Sequence, residues 1–105
     1  MPLMEISIIP LGTQTPSVSK YVAEAIKMLK SEEGIEYELN SMGTVIQADS
    51  LDKLMDIAKK MHRLILKKDV KRVVTNIKID ERTDKKLTIK GKLNSVKSAQ
   101  SKTKK

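Results

Sequence analysis

The apolar residues of this chain switch between two spacings, and the order of the switches leaves few folds open. From Leu3 to Ile9 the spacing is two, with Met4, Ile6 and Ile8 on one side and Glu5, Ser7 and Ile9 on the other. Val18, Tyr21, Val22, Ala25, Ile26 and Leu29 then recur at three- and four-residue intervals, the stripe of an amphipathic helix. Period two returns in Ile35, Tyr37 and Leu39, and again in a short strand over residues 44–48. Leu51, Leu54, Met55, Ala58, Met61, Ile65 and Leu66 form a second helical stripe. Val73, Thr75, Ile77 and Ile79 alternate within a last strand over residues 72–79. The order is strand, helix, strand, strand, helix, strand.

Punctuating residues support these boundaries. Pro10 removes a ladder donor and Gly12 loosens the turn, so the first strand is expected to stop there. Thr15 is placed to cap the first helix, with Pro16 at its first position, and Gly34 to close it in the left-handed region. Ser41-Met42-Gly43 joins two strands as a hairpin. Ser50 caps the second helix, with Asp52 in its first turn.

Right-handed crossovers and short connections convert this order into an α+β, ferredoxin-like β-α-β-β-α-β sandwich. It has one antiparallel sheet with two helices on one face, and the first strand lies between the third and fourth. If Met4, Ile6, Ile8, Tyr37, Leu39 and Ile77 face the helices, the open face carries Glu5, Ser7, Ile9, Glu38, Asn40, Gln47, Val74, Asn76 and Lys78. That polar face interspersed with aliphatics suits a subunit interface or a ligand-binding surface. A solvated sheet face is the plainer reading.

The 105 residues make one domain, with a ferredoxin-like body over residues 1–97 and a basic, disordered tail over 98–105. Leu87, Ile89, Leu93 and Val96 are expected to form a short strand or helical turn. There is no Phe, Trp or Cys, and Tyr21 and Tyr37 are the only aromatics, so the core must be aliphatic. A thin aliphatic core favours association. Without cysteine there is neither a disulfide framework nor a thiolate site. The N-terminus lacks the basic leader and apolar run of a signal peptide, and no segment has the ~20 apolar residues of a membrane helix. The expectation is a cytoplasmic protein with no membrane partner.

The net charge of +8 lies wholly in residues 85–105. Residues 1–84 hold 13 basic and 13 acidic side chains, whereas 85–105 hold eight lysines and no acid. Such a run binds polyanions loosely through counterion release. With almost no aromatics for base stacking, no specific nucleic-acid partner is expected.

No catalytic pattern stands out. Phosphate-cradling and dinucleotide glycine motifs are absent, as is a nucleophile elbow. His62, the only histidine, cannot build a usual zinc site alone and reads as a satisfied helix residue. Asp80, Glu81 and Asp84 cluster about Arg82, more simply a solvated turn with one acid paired than a cation site. The polar loop Thr13, Gln14, Thr15 and Ser17 reads as helix capping rather than an anion site.

Several ordered segments together resemble a small family of cytosolic thiamine-binding proteins. These are residues 9–13 (Ile-Pro-Leu-Gly-Thr), residues 18–23 (Val-Ser-Lys-Tyr-Val-Ala), and Glu36-Tyr37-Glu38-Leu39 followed by Met42-Gly43-Thr44. Arg72-Val73-Val74-Thr75, Ile79-Asp80-Glu81-Arg82 and Lys92-Leu93-Asn94-Ser95-Val96 complete the set. The resemblance spans residues 3–96. It implies a ferredoxin-like protomer in a homotetramer, a dimer of dimers. It also implies binding of thiamine, or its hydroxymethylpyrimidine portion, without chemistry, in vitamin carriage or sensing. No cofactor or metal is implied. The chain departs from the family pattern at Gln47 and Ala48, where an acid and a glycine are expected.

The leading reading is therefore a non-catalytic binding protein. From the open-face assignment, Ser7, Asn40, Thr44 and Asn76 are candidates for hydrogen bonds to the ligand, with Glu38 as partner for its positive charge. The alternative is a structural or regulatory homo-oligomer with no small-molecule ligand. A small enzyme centred on Asp80, Glu81 and Asp84 ranks third.

Overall fold

A computed structural model describes residues 1–13 and 16–103. Its elements are β1 (Leu3–Leu11), α1 (Ser19–Lys30), β2 (Ile35–Asn40), β3 (Gly43–Ala48), α2 (Leu51–Leu66), β4 (Arg72–Asp80) and α3 (Ile89–Thr103). The strands form one four-stranded sheet in the order β2-β3-β1-β4, every neighbouring pair antiparallel. The β-α-β-β-α-β order and the central position of β1 match the expectation. The third helix is an addition to it.

Register assigns each face. Met4 pairs with both Ile46 and Ile79, and Ile6 with Thr44 and Ile77. These side chains share the face covered by α1 and α2, and there the core forms: Met4, Ile6, Leu29, Ile46, Leu54 and Ile57 are each almost wholly buried. Burying one such side chain contributes about 1.5–3 kcal/mol. The α2 stripe differs in detail from the sequence expectation. Leu54, Ile57, Ala58, Met61 and Ile65 are buried, whereas Leu51, Met55 and Leu66 are exposed. The helix rests on the sheet along a narrow line, and those three lie off it.

Helix boundaries follow local chemistry. Ser50 Oγ accepts from the Lys53 backbone N–H at 3.1 Å, the expected cap of α2. α1 begins only at Ser19, with Val18 at the cap position and no side-chain cap. Pro16 thus precedes the helix rather than opening it, and Thr15 lies outside the described residues. α1 also ends before Gly34. The Ser31 and Glu32 N–H groups reach back to the Met28 and Leu29 carbonyls, tightening the last turn. Gly34 adopts φ +77° further on, in the turn that enters β2, a conformation that glycine takes without Cβ strain.

β1 does not stop at Pro10. Pro10 pairs with Val73 and Leu11 with Arg72 along β4, and φ +75° at Gly12 then ends the strand. Beyond Ile6 the β1–β3 register has ended, so Pro10 sits where the strand has one neighbour, as proline requires.

Two polar contacts tie α2 to the rest. His62 Nδ1 lies 2.7 Å from Thr75 Oγ1 on β4, consistent with a satisfied histidine. Glu32, after α1, takes Lys60 at 2.7 Å and Lys53 at 3.2 Å, both from α2.

The largest departure is at the C-terminus. Residues 98–103, expected to be an irregular tail, continue helix α3. Residues 104–105 lie outside the described residues.

Candidate functional site

Three rows of side chains lie at one end of the open face of the sheet, set by the same register. One row reads Glu36, Gln47, Leu3 and Asp80 across β2, β3, β1 and β4; the next reads Glu38, Val45, Glu5 and Lys78. The third holds Asn40 opposite Gly43, and Ser7 opposite Asn76. Alternation along four strands thus gathers residues from distant parts of the chain on one surface.

α3 lies across one end of this surface. Thr88 Oγ1 accepts from the Gly91 N–H at 2.8 Å, capping the first turn. Gln47 Oε1 accepts from the Ile89 N–H at 2.9 Å, and Lys92 forms an ion pair with Asp80. Leu87, just before the helix, is buried. The first turn is therefore anchored, while residues 90–101 are exposed to solvent.

Between α3 and the sheet runs a groove of about 320 Å³. Leu3, Val45, Ile89 and Leu93 give it an apolar lining, while Glu5, Glu38, Asn40, Lys78, Asp80 and Lys92 bring polar groups to it. An apolar surface with a few convergent polar groups, at the small end of ligand-pocket volumes, is the usual form of a small-molecule site. A second hollow of about 250 Å³, lined by Lys20, Tyr21, Glu24, Lys68 and Asp69, has a different character. Three of its four charged groups already have partners: Lys68 pairs with Glu24 at 3.6 Å, and the Lys20 ammonium lies 5.0 Å from the Tyr21 ring centre.

The five predicted ligand-binding residues separate on this geometry. Glu38 and Asn40 line the groove. Ser7 and Asn76 face each other on the same sheet surface, further along and outside the groove lining. Thr44 does not join them: it pairs with Ile6 and Leu39 on the helix-covered face and is only 6% exposed. Period two places Thr44 with Ile46 and Ala48 once Gln47 is on the open face. Sequence reasoning put Glu5 and Lys78 on the same face but did not name them as ligand-binding residues. Asp80 was weighed only within the acidic cluster, and around Ile89 and Leu93 only a short strand or helical turn was expected, because the apolar stripe of α3 is weak.

Of the acidic cluster after β4, Asp80 and Asp84 are already paired. Arg82 holds Asp84 through Nε at 2.8 Å and through Nη2, which keeps the Asp84 carboxyl below the usual carboxylate range. Asp80 is taken by Lys92. Among the described residues no group of three or more His, Asp or Glu side chains is placed to hold a metal ion. No described helix is long and apolar enough to cross a membrane.

Gln47 and Ala48, where an acid and a glycine were expected, are both buried. Gln47 is 6% exposed beneath the start of α3, and Ala48 is fully buried on the helix-covered face.

Comparison with known proteins places the fold and the sequence together. Residues 4–97 match the profile of the thiamine-binding protein family. The UPF0045 protein YqgV of Bacillus subtilis is 42% identical over 99 residues, covering 91% of this chain and 94% of its own. The UPF0045 protein MJ1052 of Methanocaldococcus jannaschii is 48% identical over 92 residues, covering 88% of each. In the crystal structure of that hypothetical protein the fold superposes with a TM-score of 0.82 at 46% identity, over 91% of this chain and 95% of the other.

Proposed function

Because the chain belongs to the thiamine-binding protein family, we propose that it binds thiamine, or its hydroxymethylpyrimidine portion, in the groove beneath α3 and does not transform it. The observation that carries this reading is the groove itself. It joins an apolar lining to two carboxylates, Glu5 and Glu38, that form no ion pair among the described residues. A flat heteroaromatic ring needs an apolar surface and a few in-plane partners, and a thiazolium needs a carboxylate. The groove offers both, with Asn40 at its edge as hydrogen-bond donor and acceptor.

Binding without chemistry fits the same groups. A nucleophile needs an adjacent base, and acid–base catalysis needs a positioned pair with shifted proton affinities. Among the described residues the groove lining contains no Ser, Thr, His or Tyr. Its role is that of a cytoplasmic carrier or sensor of the vitamin, in a homotetramer built as a dimer of dimers. The apolar end of the open face, where Ile9 opposes Val74, supports self-association.

Isothermal calorimetry with thiamine and hydroxymethylpyrimidine, on protein stripped by denaturation and refolding, tests the reading. Micromolar binding, about −8 kcal/mol, is expected. Absence of heat and of any thermal shift at millimolar ligand would leave the structural homo-oligomer in its place.

A further inference from the structure

The charged groups of the groove are unevenly matched. Three carboxylates face two ammonium groups. Asp80 and Lys92 satisfy each other, and Lys78 stands opposite Glu5 across the β1–β4 pair. Glu38 has no such neighbour: its partner in register is Val45, whose own partner on the other side is Glu5. Two carboxylates, from β2 and β1, therefore flank one valine of β3, and with a single lysine beside Glu5 the row keeps a negative excess at its Glu38 end.

We infer that this arrangement makes the groove selective for an unphosphorylated cation and excludes its phosphate esters, with Glu38 and Glu5 as the specificity-determining residues. The inference rests on the binding function proposed above and deepens it. A thiazolium carries a fixed positive charge and is drawn to the Glu38–Glu5 side. A phosphate monoester adds about −1.5 to −2 charges near neutral pH. Of the two lysines, Lys92 is already held by Asp80, which leaves only Lys78, and Lys78 faces Glu5. A phosphate brought there meets a carboxylate at short range, and the like charges repel. Selectivity of this kind comes from what the site repels as much as from what it attracts.

The test is calorimetry at low and moderate salt with thiamine, thiamine monophosphate and neutral hydroxymethylpyrimidine. Wild type, Glu38→Gln and Glu5→Gln are compared, each checked for cooperative unfolding. Both positions are exposed, so the variants keep the fold. The wild type is expected to prefer thiamine over its monophosphate by about tenfold or more, a preference that weakens as salt screens the groove. Each variant should lose about tenfold in thiamine affinity, gain in monophosphate affinity, and leave hydroxymethylpyrimidine unchanged. Equal or tighter binding of the monophosphate by the wild type overturns the inference while the binding function stands. So does thiamine binding indifferent to both substitutions. If none of the three ligands binds, both readings fall together.

Discussion

The side-chain carbonyl oxygen of Gln47, on β3, accepts a hydrogen bond from the backbone N–H of Ile89 at 2.9 Å, tying the first residue of α3 to the open face of the sheet. Gln47→Leu removes the acceptor while keeping most of the side-chain volume. An unmade hydrogen bond to a half-buried N–H costs about 1–3 kcal/mol, and here the cost falls on local docking rather than on the β-sheet. Amide exchange should show lost protection at Ile89 and through the first turn of α3, with the β1–β4 amides unchanged. Unaltered protection at Ile89 would show that Leu87 and the Lys92–Asp80 pair hold the helix without it.

Glu32 provides a pH signature. Its hydrogen bonds to Lys60 and then Lys53 hold the carboxyl below its usual range. A carboxyl depressed in the folded state contributes stability above its unfolded value and loses it as pH falls through the folded one. Glu32→Gln should therefore cost at most about 1 kcal/mol at neutral pH, and the difference from wild type should close in strong acid. Urea unfolding at both conditions measures it. An equal deficit at the two would point to packing rather than charge.

Ser50 is the side-chain cap of α2, the helix that covers most of the core. Ser50→Ala leaves the Lys53 N–H without its partner and should lower stability by about 1 kcal/mol, with Ser50→Asp close to neutral. Thermal unfolding of the two variants separates lost capping from a general intolerance of change at this position.

The pair Ile9 and Val74 lies opposed across β1 and β4, on the open face and away from the groove, with Ile9 45% and Val74 38% exposed. Val74→Lys places a charge in that apolar patch without touching the core. Light scattering should then report a smaller species than wild type at the same concentration. A wild type that is already a monomer at micromolar concentration would remove this surface as an interface.

Most of the architecture was legible because it depends on local spacing. Alternation in β1 and β4 assigned both sheet faces correctly, and Ser50 marked the start of α2. Local signals misplaced three boundaries, one of them the start of α1, which was expected at Pro16 and lies at Ser19. Pro10 was expected to end β1, but a strand with one neighbour accommodates it. Gly34 has the left-handed backbone expected of it, yet in the turn before β2, since α1 has already closed at Lys30. The groove was legible only in part: Glu38 and Asn40 line it, Ser7 and Asn76 share its sheet face, and Thr44 lies on the opposite face.

Periodicity and composition alone determined the element order, the aliphatic core and the gathering of positive charge in residues 85–105. Each follows from which side chains leave water along a single strand or helix. Register, and with it the row Glu38, Val45, Glu5 and Lys78, belongs to pairings between strands far apart in sequence. The third helix was a tertiary decision too. Residues 89–103 combine a glycine, many lysines and a weak apolar stripe, so local signals announce no more than a short strand or helical turn where a fifteen-residue helix forms. Its anchors at Gln47, Asp80 and Leu87 exist only once the sheet is formed, and without them the groove would have no second wall.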